Sequence, residues 1–292
     1  ALGKGAPELS TAAGYGTSPY LLYNGTDENG EFFHLMEITY GGIPGRPMGD
    51  GMDAHSWWPM FENIPTEYLE SYYPITVLEY GSLPDSGGAG FHRGGNAVHK
   101  VYRFDTDGEI AIHDDRDRSQ PWGILGGLPG WSSTKKLVRT DGTEENLASK
   151  ISRVPVKKGD ILIYETAGGG GWRDPLERPV EIVRKDVRNG LVSIEKAQND
   201  YGVILNVADL AINESATENL RKEMREKRGE ANLFNFGAIP EPIGVVAEMY
   251  HAESKDRNRA SEHSGAKVGE TLATSEHLQT NETGAATTVL PI

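Results

Sequence analysis

The chain has 292 residues, 43 of them acidic and 29 basic, for a net charge of −14. It contains no cysteine, which excludes disulfides, thiolate metal sites and cysteine nucleophiles. Acidity weighs against a general nucleic-acid footprint, and no apolar run approaches the ~20 residues of a membrane helix, so a cytoplasmic protein with no nucleic-acid or membrane partner is expected.

The opening stretch "ALGKGAPELSTAAGYG" lacks a continuous apolar core and does not read as a secretory signal. Asn24-Gly25 and Asn29-Gly30 mark turns ahead of the apolar run "EFFHLMEITY". Asp107-Gly108 separates "NAVHKVYRF" from "EIAIHD", and Val98, Lys100, Tyr102 and Phe104 alternate with His99, Val101 and Arg103. Asp-Gly between two alternating runs predicts a hairpin, because both turn residues take positive φ. Asp141-Gly142 repeats the signal after "KKLVR", and Lys157-Lys158-Gly159-Asp160 reads as the tip of a further hairpin in "RVPVKKGDILIYET". The 36 glycines cluster between short apolar runs, which fits strands joined by tight turns.

From residue 174 the pattern changes. Asp174-Pro175 reads as a cap with a first-turn proline. Val180, Val183 and Val187 share one helical face that ends at Asn189-Gly190. Ser193 opens a second short helix reaching Tyr201, "VILNVA" reads as a short strand, and Ser215 with Glu218 forms a capping box before a charged helix. Past residue 252 the composition is too polar to supply a core. The expected fold class is α+β, predominantly antiparallel β hairpins with short C-terminal helices and a polar tail. The expected units are a β-rich body over 1–206 with short helices near 176–201, a charged docking helix over 207–236, and an extended or disordered tail over 237–292.

Three loops carry candidate chemistry. "ETAGGGGWRDP" at 165–175 offers four glycines before a helix start, the setting in which backbone N–H groups bind phosphate. It lacks the Lys-Ser/Thr ending of a phosphate loop, so a close-packed turn is the stronger reading. "GILGGLPG" leads into a strand rather than a helix and reads the same way. The loop "GGIPGRPMGDGMDAHSWWPMFENIP" at 41–65 holds Asp50, Asp53, His55, Trp57, Trp58 and Phe61. With one residue between them, Asp53 and His55 could face one way in an extended segment. The carboxylate could orient the imidazole as an acid/base, or the pair could bind a divalent cation. A hydrogen-bonded loop over buried tryptophans is the plainer alternative. His92, next to Arg93 in "DSGGAGFHRGG", could meet an anion; His99 and His113 sit in strand patterns that favour packing.

Three segments taken together resemble the hydantoinase B/oxoprolinase family: "ITVLEYGSLPDSGGAGFHRGGNAVHKVYRF", "DDRDRSQPWGILGGLPG" and "VKKGDILIYETAGGGGWRDPLERPVEIVRKDVRNGLVSIEKAQNDYGVIL". The likeness runs collinearly over residues 1–206, and the chain is similar to the C-terminal half of a B-type component. The resemblance implies a multi-subunit, ATP-dependent enzyme acting on a small carbonyl substrate, inactive as this chain alone. It implies ATP and Mg on a hydantoinase A-type partner. It also implies a separately encoded N-terminal half as a second partner, with a divalent metal such as Zn or Mn held mainly there. One branch of the family opens cyclic amides such as hydantoins or 5-oxoproline; another carboxylates ketones such as acetone or acetophenone. A third reading is a non-catalytic scaffold or mobile part of such a complex. Hydrolase-type members carry a polar H-x-H-M-T-N-T-like stretch where this sequence has His55-Ser-Trp-Trp-Pro-Met-Phe. That departure favours a ketone carboxylase, with His55 and Asp53 as catalytic residues and Trp57, Trp58 and Phe61 as an apolar substrate wall.

Overall fold

In a computed structural model the chain is described over residues 2–56 and 62–238. The expected tail past 238 and the expected substrate wall of Trp57, Trp58 and Phe61 lie outside the described residues. A short helix α1 (Leu2–Gly5) leads to strands β1 (Tyr20–Thr26), β2 (Phe32–Ile38), β3 (Ile75–Leu83), β4 (Ala97–Phe104), β5 (Gly108–His113), β6 (Gly123–Ile124), β7 (Thr134–Val138), β8 (Glu144–Asn146), β9 (Lys150–Val156), β10 (Ile161–Glu165) and β11 (Phe234–Asn235). Helix α2 (Thr66–Tyr72) precedes β3, while α3 (Val180–Arg188), α4 (Ile194–Asn199) and α5 (Glu214–Arg228) follow β10. The α+β, mainly antiparallel architecture expected from the turn pattern is what the chain adopts. Among the described residues no helix is long and apolar enough to cross a membrane.

Two antiparallel sheets face each other, ordered β2-β1-β5-β9 and β3-β4-β10-β7-β8. Their inner faces interdigitate: Leu21, Tyr23, Leu35, Ile110 and Val156 from the first pack with Tyr102, Phe104, Leu137, Leu162 and Tyr164 from the second. β2 alternates strictly, with Phe33, Leu35 and Glu37 inward and Phe32, His34 and Met36 outward. Inward charges are paired across the sandwich: Lys100 with Glu37, and Lys135 with Asp114 at 2.8 Å. Burial raises the Asp114 carboxyl above its ordinary value, against the pull of Lys135.

Two turns form hairpins as the sequence predicts. β1 pairs with β2 around Asn29-Gly30, and β7 pairs with β8 around Asp141-Gly142. Two others differ. β4 and β5 lie in different sheets, so the turn at Asp107-Gly108 carries the chain across the sandwich. The same holds for β9 and β10 at Lys157–Asp160. The reason is burial: β4 is covered on both faces and takes β3 and β10 as neighbours, which leaves no edge for β5. Tyr23 Oη donates to the Thr106 carbonyl at 2.9 Å and anchors the first crossing. Helix α5 is capped by Asn213, whose side chain accepts from Ala216 N at 3.1 Å, rather than by Ser215. "VILNVA" contributes one bridge, Leu205 to Ile212, in place of a strand. Ser193 caps α4 as expected, while Asp174 caps a single 3-10 turn (Pro175–Glu177) ahead of α3. Val183 of α3 is buried with Ala197, Tyr201 and Val203, and Val180 and Val187 pack against them.

Beyond one end of the sandwich, four glycine-rich stretches at 41–51, 87–95, 123–130 and 168–171 pack backbone against backbone. A Cβ on Gly42 would lie 1.9 Å from the Gly95 carbonyl oxygen, and one on Gly168 would lie 1.9 Å from the Ser86 carbonyl oxygen. Neither neighbour is a flexible side chain, so the backbone would have to move. Gly42→Ala is expected to destabilise the chain by about 1–3 kcal/mol in urea unfolding, the range for overpacking a filled interior. Gly81→Ala, at a β3 position open on all sides, should change stability by no more than about 0.5 kcal/mol. Equal effects at the two sites would contradict the packing account.

Candidate functional site

The glycine stretches decide the fate of the candidate phosphate loop. Gly168 N donates to Trp131 O, Gly169 N to Gly95 O, Gly170 N to Ala13 O and Gly171 N to Leu128 O, all at 2.7–3.1 Å. All four glycines are buried. Their N–H groups are therefore engaged inside the protein and cannot cradle a phosphate. The 123–130 stretch is tied in the same way: Ile124 N donates to Gly171 O, Leu128 N to Ala89 O and Gly130 N to Pro121 O. Both loops are close-packed turns.

The 41–56 segment lies over this glycine layer. Gly42 N donates to Ala167 O, Gly45 N to Gly170 O and Gly51 N to Arg93 O. His55 N donates to Gly41 O at 2.9 Å and Ala54 N to Asn96 O at 2.8 Å. Gly41 in turn sits against the buried ring of Tyr15, where a Cβ would approach the Tyr15 Cβ to 2.6 Å. The backbone of the segment is thus fixed along most of its length.

Its carboxylates are fixed by two arginines. Asp53 takes a bidentate contact from Arg93, at 2.7 and 3.0 Å, and accepts Asn96 N at 2.7 Å. Asp50 takes a bidentate contact from Arg178, at 2.7 Å on each oxygen, and accepts Arg93 N at 2.8 Å. Arg178 also donates to Asp186 of α3 at 2.8 Å and to the Phe91 carbonyl at 2.7 Å. Its side chain is 1% exposed. Burial works to raise the Asp50 carboxyl, but Arg178 and the Arg93 N–H outweigh it and hold the group below its ordinary value. Burial prevails at Asp186, which lies above its ordinary value despite Arg178. Burial also opposes charge on Arg178, and the two aspartates more than offset it.

The sequence-derived candidates separate accordingly. Among the described residues no hydrogen bond or ion pair joins Asp53 to His55; Asp53 faces Arg93, and the His55 side chain is exposed at the end of the segment. The anion that Arg93 meets is Asp53 of this chain. His92 stacks on Trp172 with ring centroids 5.5 Å apart, and its Nδ1 lies 3.6 Å from Asp50. Burial outweighs the pull of Asp50 and lowers the His92 pKa. His99 is bridged by Glu165 and Glu79, and His113 stacks on Tyr20. Arg178 and Asp186 went unnoticed in the sequence, since Arg178 and Asp50 are 128 positions apart and no local pattern links them.

Among the described residues no three His, Asp or Glu side chains gather as a metal site. The carboxylates nearest His55 in sequence are both neutralised by guanidinium forks, which is not the donor set a divalent cation takes. No chemical step at this segment is assigned to a metal.

Comparison with known proteins fixes the class. The profile of the Hydantoinase B/oxoprolinase family matches residues 1–175, more than half of the chain, and the chain belongs to that family. The B component assigned to a D-/L-hydantoinase of Pseudomonas sp. strain NS671 is 31% identical over 214 residues, which cover 72% of this chain and 36% of that protein. The crystal structure of the ATP-dependent caprolactamase from Pseudomonas jessenii superposes with a TM-score of 0.63 at 28% identity, over 76% of this chain and 40% of that one. A nucleotide-free acetone carboxylase structure shares the fold, with a TM-score of 0.67 at 20% identity over 88% of this chain and 38% of that one. The chain therefore matches well under half the length of each of these proteins.

Removing the hub should be costly. Arg178→Met leaves Asp50 and Asp186 without the guanidinium they share, and breaking a buried pair costs about 3–5 kcal/mol. Lys157→Met, which removes an exposed pair with Asp107, should cost under about 1 kcal/mol. The Arg178→Met deficit should shrink as pH falls through the carboxylate range near 4, because protonation relieves the two stranded aspartates. Urea unfolding of both variants from pH 7 to pH 4 checks this; a deficit that grows on acidification would contradict it.

Proposed function

We propose that the chain is part of the B-type component of an ATP-dependent complex that carboxylates a ketone. The family match and its collinear glycine-rich loops support the class of enzyme. The observation that carries the finer reading is the stretch His55-Ser-Trp-Trp-Pro-Met-Phe, aromatic where amide-hydrolysing members are polar. In this reading the segment 50–61 lines the reaction chamber of the assembled complex. His55, set on a backbone pinned at Gly41, takes the proton α to the ketone carbonyl, so that the enolate carbon can attack the carboxyl carbon of bicarbonate activated by phosphorylation from ATP, with phosphate as the leaving group. Trp57, Trp58 and Phe61 form an apolar wall that excludes water from the activated intermediate. Asp53 acts through Arg93, holding the segment in place, rather than through the imidazole.

ATP and Mg would be supplied by a hydantoinase A-type partner, and the remaining B-type polypeptide would complete the chamber. The charged helix α5, within the 207–236 region, would dock the chain to that assembly. A second reading, ring opening of a cyclic amide, is favoured by the names and identities of the hydantoinase and caprolactamase relatives.

The assay is turnover of the co-purified complex with labelled bicarbonate plus acetone or acetophenone, set beside hydantoin and 5-oxoproline. Acid-stable label incorporated with ATP consumption supports carboxylation; ATP-dependent ring opening alone overturns it in favour of the second reading. His55→Ala should lower coupled turnover by about 10²–10⁴-fold, the contribution of a positioned proton-transfer group, with assembly intact. Near-normal turnover in that variant would make the segment structural only.

A further inference from the structure

The buried and half-buried arginines of the described residues sort by what they touch. Arg93 and Arg178 grip aspartates, and Arg103 donates to Asp105 and Thr76. Arg139 donates to Asp160 and Glu145, Arg184 pairs with Glu181, and Arg221 donates to two backbone carbonyls. Arg46 and Arg116 are half-buried too, yet neither guanidinium has an acceptor among the described residues. Of the two, Arg116 carries the greater strain. Its backbone is left-handed at φ 65°, a conformation that non-glycine residues rarely hold. It is locked there by Ser133, whose N–H donates to the Arg116 carbonyl at 2.9 Å and whose hydroxyl donates to the Asp115 carbonyl at 3.1 Å.

The neighbouring carboxylates do not supply the missing partner. Asp115 is taken by Lys150 at 2.6 Å and Asp114 by Lys135 at 2.8 Å. Opposite Arg116 stands Gly16, itself at φ 96°, where a Cβ would lie 3.2 Å from Asp115 Cβ and 3.6 Å from both Arg116 Cγ and Asp115 Oδ2, so an anion here shares the corner with the second oxygen of the carboxylate that Lys150 neutralises. Burial holds the guanidinium below its usual pKa, and the nearby charge of Asp115 does not restore it. A cation partly withdrawn from water without an acceptor is costly, and here a fixed backbone maintains it. Gly16 follows Tyr15, the residue against Gly41, so this corner adjoins the strip that carries His55.

We propose that Arg116 is the binding residue for a small oxyanion, a carboxylate or a phosphoryl group, received at the corner between Gly16 and the 115–116 turn. The planar guanidinium fork matches two oxygens of either anion, and partial burial strengthens charge-assisted hydrogen bonds relative to an exposed site. The assignment does not rest on the proposed reaction. An anion is held at this corner whichever carbonyl chemistry the complex performs.

The test is thermal unfolding of the chain titrated with inorganic phosphate, bicarbonate or acetate at constant ionic strength set with chloride. A ligand that binds only the folded state raises the melting temperature in a saturable way. Phosphate also stabilises proteins without binding, so the variants decide. The expected result is a saturable rise in the unsubstituted chain, weakened about ten-fold or more in apparent affinity by Arg116→Gln and unchanged by Arg46→Gln. Arg116→Lys keeps the charge without the fork and should fall between. A response to phosphate alone assigns the corner to a phosphoryl group; a response to acetate or bicarbonate assigns it to a carboxylate. No saturable response to any of the three, or the same response in Arg116→Gln, overturns the proposal.

Discussion

The structure depends on backbone packed directly against backbone. Where four glycine-rich stretches meet, carbonyl oxygens occupy the space that side chains would fill, as at Gly42 against Gly95 and Gly168 against Ser86. Such contact brings peptide groups within hydrogen-bonding reach, and the amides of Gly168 through Gly171 are satisfied by carbonyls of three separate stretches, at Ala13, at Gly95 and at Leu128 and Trp131. A conventional apolar core tolerates a methylene gained or lost at moderate cost. This layer has no side chain that can swing aside, so it transmits position closely between the N-terminal strip, the 41–56 segment and the chain after β10. The four glycines of 168–171 serve geometry here, with every one of their N–H groups engaged inside the protein.

Above that layer a second device fixes the acidic part of the segment. Arg178 reaches from the chain before α3 to Asp50, while Arg93 reaches from the adjoining loop to Asp53. Each is a bidentate contact with fixed orientation, and both guanidinium groups are nearly excluded from water. A buried pair adds little net stability over an apolar replacement, but it is specific about which residues meet. Its effect here is to hold a loop rich in Gly and Pro in one conformation, ending at the exposed His55. The aspartates thus act on the position of the segment, and the imidazole is left open to what approaches it.

Much of the fold was legible in the sequence because its signals are local. Alternation marked β4, the apolar run after Asn29-Gly30 marked β2, Asn29-Gly30 and Asp141-Gly142 marked true hairpins, and Asp174-Pro175 and the Val180, Val183, Val187 face marked the start of the helical region. The misread turns failed for a physical reason. Asp107-Gly108 reports that the chain reverses, but strand pairing is set by which edges remain free, and β4 has none for β5. Asn213 displaced Ser215 as a cap because its own N–H is anchored on Ile204, which places the helix start two residues earlier. In the site, the pairing expected for Asp53 and His55 followed from spacing alone. The guanidinium of Arg93, 40 positions away, is the stronger partner for a carboxylate and takes it. The Arg178 hub left no trace, since no periodicity joins residues so distant.

The chain shares its fold with an acetone carboxylase and a caprolactamase, and within it the glycine layer carries the segment that ends at His55. The claim on which the rest stands is that this layer is rigid and internally satisfied. Native-state amide hydrogen exchange on Gly168, Gly169, Gly170 and Gly171 measures it most directly. The account predicts that all four amides exchange only through global unfolding, with protection matching the strand interiors of β4 and β10 and unaltered by added ATP and Mg²⁺. Rapid exchange at these four glycines, or protection that appears only with nucleotide, would contradict it.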